Sequence, residues 1–390
     1  MPDRDSVSMA GRGPLAGLRV LQMGGPGPVP FCGMVLSDLG ATVISIERPA
    51  NSAAAPDEVA VLTLDTLRRG QRRVAVDLKH PAGIELVLDL VRAADGLMEG
   101  FRPGVMERLG LAPDVCLAVN PRLVYGRMTG WGQSGPYAGL PGHDINYLAL
   151  AGALAPIGRH GQPPVPPLNL VADFGGGAML LATGMLAALL EASRSGYGQV
   201  VDAAMLDGSA LLMTMMYEMV NSGTWVETRG SNMNDSGAPF YDVYETADGK
   251  YVAIGAMERR FFDDLVRRIG LHQEDLPDQW DRSQWPILRG ILASTFRQRT
   301  RDEWCELLET APVCFTPVLE LSEAPLHPHN QARQAFMPAD GGPVPAPAPR
   351  FGRSSAPGEQ TVPRTNADVL AEFGVTAERA ARLRALGALA

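Results

Sequence analysis

Two neighbouring stretches carry the side chains best suited to chemistry, GHDINY at 142–147 and VADFGGG at 171–177. Together they supply a histidine, two aspartates and three consecutive glycines around one short helix–loop segment. An imidazole titrates near neutrality, and a carboxyl raised by burial can hold a proton in the same range. His143 and Asp173 therefore suit general acid–base work. Asp144 follows His143 directly and joins them as a candidate. Asp173 lies among Val171, Ala172 and Phe174, immediately before Gly175, Gly176 and Gly177. An aspartate at a helix start is ordinarily just an N-cap. Three glycines, however, each cost about 0.8–1 kcal/mol relative to alanine in a helix interior. The sequence reading is that they let a ligand approach the backbone, with helix-terminal N–H groups available to an oxyanion. Glu258, in GAMERRFF, is a third acid–base candidate, although alone it reads as a surface glutamate.

These groups need a scaffold. Residues 18–46 read as strand, glycine–proline turn, helix and strand, followed by Glu47 and Arg48. The pattern imitates a dinucleotide-binding fingerprint but departs from it: Pro30 stands where the third glycine would pack helix on strand. Strand-like runs at 74–78, 96–98, 123–128 and 199–203 alternate with helical patterns at 81–94, 178–192 and 205–220. Such alternation predicts an α/β fold, a mostly parallel sheet covered on both faces. Its loops at strand C-terminal ends carry His143 and several arginines: Arg68, Arg69, Arg72 and Arg73 surround one strand with Lys79, and Arg102 and Arg108 follow the next. Guanidinium clusters of this kind can hold the phosphates of a large anionic cofactor.

The composition shifts at 228–239, a Gly/Asn/Ser-rich linker, and a domain boundary is expected there. The expected organisation is a large α/β domain over 1–227 with a 13-residue tail, and a smaller α+β domain over 228–321. A proline-rich return strap with two closing helices over 322–390 then docks on the first domain. A hairpin is expected around Asp248 and Gly249. The methionines of 205–220 suit either core packing or a soft acyl-binding surface.

The bulk numbers narrow the function. A net charge of −9 argues against general nucleic-acid or membrane-surface binding. Cys32, Cys116, Cys305 and Cys314 have neither CxxC spacing nor a histidine partner, so neither a disulfide framework nor a zinc site is expected. His327 and His329 flank a proline without a third ligand nearby, which makes a poor metal site. No secretory h-region and no uninterrupted apolar span stand out, and a cytoplasmic location is expected.

Many segments together resemble one family: PLAGLRVL, LSDLGATVISIERP, EGFRPGVMERLGL, RMTGWGQSGP, GHDINYLAL, LVADFGGGAML, GQVVDAAMLDGS, GAPFYDVYETADGKYVAIGAMERRF and the closing EFGVTAERAARLRALGAL. In this order, from residue 14 onward, they resemble the alpha-methylacyl-CoA racemase branch of the class III CoA-transferase superfamily. The resemblance implies an interlocked homodimer with a large Rossmann-like domain and a smaller one, acting on acyl-CoA. It implies two-base proton transfer at C2 of a 2-methylacyl thioester, with Asp173 on one side and His143, paired with Glu258, on the other. Contacts to CoA would fall on Arg48, on Val76, Asp77, Leu78 and Lys79, on Gly100, Phe101 and Arg102, on Arg108, and on Gly142, Asn146 and Tyr147. No cofactor beyond the CoA of the substrate is implied. The alternative on the same fold is a CoA-transferase with Asp173 as nucleophile. GAMERR, in place of a small-domain glycine run, and the presence of His143 favour proton transfer.

Overall fold

The structure is a computed structural model that describes residues 13–25, 27–49, 65–354 and 366–390. The tail expected over 1–13 lies outside these apart from Gly13, as does the end of the strap at 355–358. The chain forms two compact units. The first comprises the described residues up to 151, Leu168–Leu212, and the chain from 347 onward; the second comprises Gly152–Pro167 and Met213–Ala346.

The first unit runs β1 (Arg19–Met23), α1 (Pro28–Asp38), β2 (Thr42–Glu47), β3 (Arg72–Ala75), α2 (Pro81–Ala93), β4 (Gly96–Glu99), α3 (Val105–Arg108), α4 (Pro113–Val119), β5 (Val124–Thr129) and α5 (Asp144–Leu150). A π-helical segment, Leu170–Ala178, then leads directly into α6 (Met179–Ser195), β6 (Val200–Ala204) and α7 (Met205–Leu212). The six strands form one parallel sheet in the order β3-β2-β1-β4-β5-β6. β4 and β5 are buried along their whole length, which is why they read as continuous apolar runs and not as alternating ones. The strand order reverses between β1 and β4, the position at which open α/β sheets place their ligand sites.

Phe101 explains the imitation fingerprint after β1. A Cβ on Gly24 would fall 2.5 Å from the Phe101 ring, and one on Gly25 would fall 3.3 Å from Gly100 Cα. Both glycines also have positive φ, +44° and +96°. They let the loop after β1 lie on the loop after β4, and no third glycine is required.

The joined helix Leu170–Ser195 is long and apolar enough, by length and composition alone, to cross a membrane. The sequence predicts no membrane span, since no apolar run of that length is free of a charge or a breaker. The helix packs on β5, β6 and α1. Its glycines are helix-packing residues. A Cβ on Gly176 would meet the α7 backbone at Gly208 within 2.8 Å, one on Gly208 would come within 1.8 Å of Gly176 O, and one on Gly177 would come within 2.9 Å of the Met205 side chain. The expectation that this run makes room for a ligand is thus corrected for Gly176 and Gly177: Gly176 admits the α7 backbone and Gly177 the Met205 side chain.

The second unit contains α8 (Thr214–Asn221), β7 (Tyr241–Glu245), β8 (Tyr251–Gly255), α9 (Arg259–Arg268), α10 (Trp285–Phe296), α11 (Arg301–Leu308), β9 (Phe315–Pro317), α12 (Pro328–Ala332), β10 (Phe336–Met337) and β11 (Val344–Pro345). β7, β8 and β9 form an antiparallel sheet, with the β7–β8 turn at Asp248 and Gly249. Phe240, Phe262, Trp285, Phe296 and Trp304 fill its core. The unit reaches beyond the linker-based boundary at 228. Arg229 donates to Ala155 O at 2.8 Å and to Gln162 O at 2.7 Å, and Ser236 donates to Gly158 O at 3.0 Å, which ties the 152–162 loop to this unit. The 205–220 helix breaks at Met213 into α7 and α8, and α8 buries none of its residues. The first half of the strap forms α12 and the β10–β11 pair of the second unit.

The chain closes in the first unit with α13 (Asn366–Glu372) and α14 (Ala377–Ala385). Val369, Leu370, Phe373 and Leu383 join the core formed by Leu21, Ile44, Val74 and Leu97, and Arg72 pairs with Glu372. Leu389 adds a bridge beside Val76.

The glycine contact yields a test. By helix propensity alone, Gly208→Ala would stabilise α7 by about 0.8–1 kcal/mol. The 1.8 Å approach to Gly176 O predicts the opposite sign, a loss of about 1–3 kcal/mol from overpacking. Thermal or urea unfolding of the variant measures it.

Candidate active site

The site is built where the loops leaving β1, β4 and β5 meet the π-helical segment. Tyr147 shapes its floor. The ring stacks edge-on against Trp131 at 4.7 Å, and the hydroxyl donates to Gly142 O. A Cβ on Gly130 or Gly142 would fall 2.2 or 2.8 Å from that ring, so both glycines seat it. Burial first, and then the charge of Asp173, push the Tyr147 phenol up to about 12, so it stays neutral; the Arg102 guanidinium pulls the other way. Tyr147 and Gly142 are therefore structural supports for the loop in which the sequence reading placed CoA contacts.

His143 caps α5 and is exposed. Its main-chain N–H donates to Asn146 Oδ1 at 3.1 Å, and its carbonyl accepts from Asn146 N at 2.8 Å. This reciprocal cap uses the Asn146 side chain and fixes the backbone that carries the imidazole.

Asp173 is half-buried, inside the π-helical segment. Such segments are rare, and when they occur it is frequently at functional positions. Burial raises its carboxyl above the usual range, and the neighbouring Asp144 charge adds to this; Asn169 and the His143 imidazole oppose it. Asn169 Nδ2 donates to Asp173 Oδ2 at 3.3 Å. Sequence reasoning missed Asn169, although its i,i+4 spacing to Asp173 across NLVAD was a usable helical signal. The ring after Asp173 is also anchored, with Phe174 stacked on Phe31 of α1 at 4.6 Å.

Asp144 proves different from the catalytic group suggested by its place beside His143. It is only 6% exposed, and its Oδ2 accepts from Ala172 N and Asp173 N, both at 2.8 Å. These are among the N–H groups that the first turn of a helix leaves without intrahelical partners, so the carboxylate of one helix caps another. Charge-assisted bonds of this kind are worth about 1.5–3 kcal/mol each. They also take up two N–H groups just ahead of the glycine-lined helix start at which the sequence places an oxyanion.

The arginines divide into two sets. Arg68 and Arg73 pair with Glu47, Arg69 with Asp38, and Arg72 with Glu372. All four belong to β3 or to the turn before it and are committed to carboxylates, which corrects their reading as a phosphate cluster. Arg48 directly follows β2, Arg102 follows β4, and Arg108 ends α3; among the described residues, their guanidinium groups have no carboxylate partner. Gly100 and Phe101 form the turn between Glu99 and Arg102, with Phe101 N–H donating to Glu99 Oε2 at 2.7 Å. Val76 is buried, Asp77 accepts from Lys79 N at 2.9 Å, and Leu78 packs at the core edge. This leaves Lys79 and the backbone of that turn to face a ligand.

Glu258 lies in the second unit as the exposed N-cap of α9, beside Cys314. His327 Nε2 is bonded to Glu309 at 2.6 Å and its Nδ1 accepts from His329 N, so the sequence's HPH pair caps α12.

A family model described as CoA-transferase family III matches residues 15–369. The chain is 42% identical over 375 residues to alpha-methylacyl-CoA racemase of Mus musculus, covering 95% of this chain and 96% of that protein. It is 41% identical over 374 residues to the same enzyme of Homo sapiens, covering 93% and 94%. A CAIB/BAIF family protein from Brucella suis, known from its crystal structure, superposes with a TM-score of 0.77 at 25% identity, over 93% of this chain and all of that one.

Asn169 donates to the charged form of Asp173 and so favours it. Asn169→Ala is therefore expected to move the Asp173 titration to higher pH, with the protonated form persisting further toward neutrality. Carbon-detected NMR titration of carboxyl-labelled aspartate, with Asp173→Asn to assign the signal, measures the direction.

Proposed function

The chain belongs to CoA-transferase family III, and from that premise we propose that it racemises 2-methyl-branched acyl-CoA thioesters by moving the C2 proton. The observation that carries this reading is the pairing of Asp173 with His143. A carboxyl held above its usual range by burial lies within electrostatic reach of an exposed imidazole. Two groups in such different surroundings can serve as acid and base on opposite faces of one carbon. One takes the α-proton to give an enolate while the other delivers a proton from the far side, and the roles reverse for the other epimer. Positioned proton transfer of this kind contributes about 10²–10⁴-fold.

The transferase alternative, with Asp173 as nucleophile, is disfavoured by the presence of His143 and by GAMERR where a small-domain glycine run would stand. Arg48, Arg102 and Arg108, uncommitted to carboxylates, are assigned to the CoA phosphates. Glu258 is retained as the carboxylate of the second unit that serves the acid–base chemistry. The reading includes a homodimer, supported by the exposure of Leu211 and Leu212 on α7. Proton transfer on a thioester calls for no cofactor beyond the CoA already attached.

A 2-methylacyl-CoA incubated with the enzyme in D₂O is expected to gain deuterium at C2 while both epimers appear. If the label stays out and CoA passes to an added free carboxylic acid, the transferase reading replaces this one. His143→Ala and Asp173→Ala are each expected to lower racemisation at least 10²-fold while CoA binding, followed by calorimetry, persists.

A further inference from the structure

We propose that Asp144 is a positioning residue whose buried carboxylate sets where Asp173 stands relative to His143, and that it transfers no proton itself. The inference rests on the two-base reading above and goes beyond it by giving Asp144 a role on one face of the substrate only.

The geometry carries it. Asp144 is the first residue of α5 and His143 is the cap of the same helix, so one backbone turn holds both. From there the Asp144 side chain reaches out of its own helix to the N–H groups of Ala172 and of Asp173 itself. A single oxygen, Oδ2, accepts both bonds at 2.8 Å, which fixes the start of the Asp173 peptide against α5. Asn169, the residue at the cap position of the π-helical segment, makes no side-chain cap to that backbone; its amide goes to the Asp173 carboxylate instead. Asp144 therefore caps from outside, and the cap joins the two halves of the site.

Its burial rules out the alternative role. Oδ1 is buried without a hydrogen-bond partner among the described residues, and Oδ2 is occupied by two amides. A carboxylate so enclosed acts through the backbone it holds. The remaining anchors of this segment, the Phe31–Phe174 stack and the Gly176–Gly208 contact, hold its flank and its later turns. Neither refers Asp173 to the helix of His143. Among the described residues, the hydrogen bonds that join Asp173 to the helix of His143 are those of Asp144, and their loss should displace one base and leave the other in place.

In a two-base reaction each epimer presents its α-proton to only one base, so hydrogen exchange from the two epimers reads the two bases separately. Wild-type enzyme in D₂O is expected to wash deuterium into both epimers of a 2-methylacyl-CoA; if it exchanges neither, the racemase reading itself has failed. In Asp144→Ala, exchange from the epimer facing Asp173 is expected to fall at least 100-fold. The epimer facing His143 should still take up deuterium within about tenfold of wild type, with its configuration retained. Asp144→Asn keeps an oxygen for both N–H groups and should restore exchange on the Asp173 face to within about tenfold of wild type. Asp144→Glu, which keeps the charge but lengthens the arm by one methylene, should show the one-sided loss again, and it decides the matter if the alanine variant does not fold. Equal losses on both faces, or no loss on either, would overturn the proposal. So would an Asp144→Asn variant as defective as the alanine one, since that would make the carboxylate itself a participant in the chemistry.

Discussion

A carboxylate cannot remain charged inside a sheet without a partner, and Glu99 is fully buried at the end of β4. Burial pushes its pKa up, while the Phe101 N–H and the Arg127 guanidinium pull it down. Arg127, on the neighbouring strand β5, donates to Glu99 at 2.9 Å and also reaches Glu107 of α3 at 2.9 Å. The carboxyl ends of the two central strands are thereby joined by one cation that serves two anions. The site residues carried by the β4 and β5 loops depend on that join. The turn that presents Arg102 starts from the oxygen of Glu99 that Arg127 leaves free, and α3, which ends in Arg108, is held through Glu107. The β5 loop leading to His143 starts from the strand that carries Arg127. Removing the guanidinium would leave a buried uncompensated carboxylate, a cost of about 3–5 kcal/mol, and would free the loop it holds.

The second organising constraint is steric. The segment carrying Asp173 approaches α7 so closely that neither Gly176 nor Gly208 can accept a side chain. The contact places Asp173 a turn before a fixed point, while the Phe31–Phe174 stack holds the flank of that turn. The turn in between is wound as a π-helix, with the extra residue that such a turn accommodates. Glycine is unfavourable in helices, and the sequence keeps three in a row here; helix-to-helix approach accounts for two of them.

Much of this was legible in the residues. The alternation of apolar runs and helical patterns gave the parallel sheet, because strands covered on both faces leave a clear trace in composition. His143 and Asp173 stood out because titratable groups amid glycines and apolar residues are unusual. What stayed hidden depended on contacts distant in sequence. Nothing in HDINY says that Asp144 turns inward to amides 28 and 29 residues away, and nothing in RRGQRRV says that Arg69, Arg72 and Arg73 each meet a carboxylate. The glycine run was misread because a close approach looks the same in sequence whether a ligand or a helix makes it. The 228 boundary was displaced because composition marks where a linker is polar, whereas Arg229 and Ser236 bind back to the 155–162 loop through long-range hydrogen bonds.

The two proposed bases differ in a way that follows from their supports. His143 is exposed and, among the described residues, is held through its backbone cap, which leaves its imidazole toward solvent. Asp173 is half-buried, and three elements fix it: Asp144 from α5, Phe31 from α1, and the glycine contact with α7. Burial, with a like charge close by, raises the Asp173 carboxyl. Asp144 supplies the like charge with the same oxygen that holds the Asp173 backbone. The rigid contacts of the site thus converge on the group whose acidity those surroundings change.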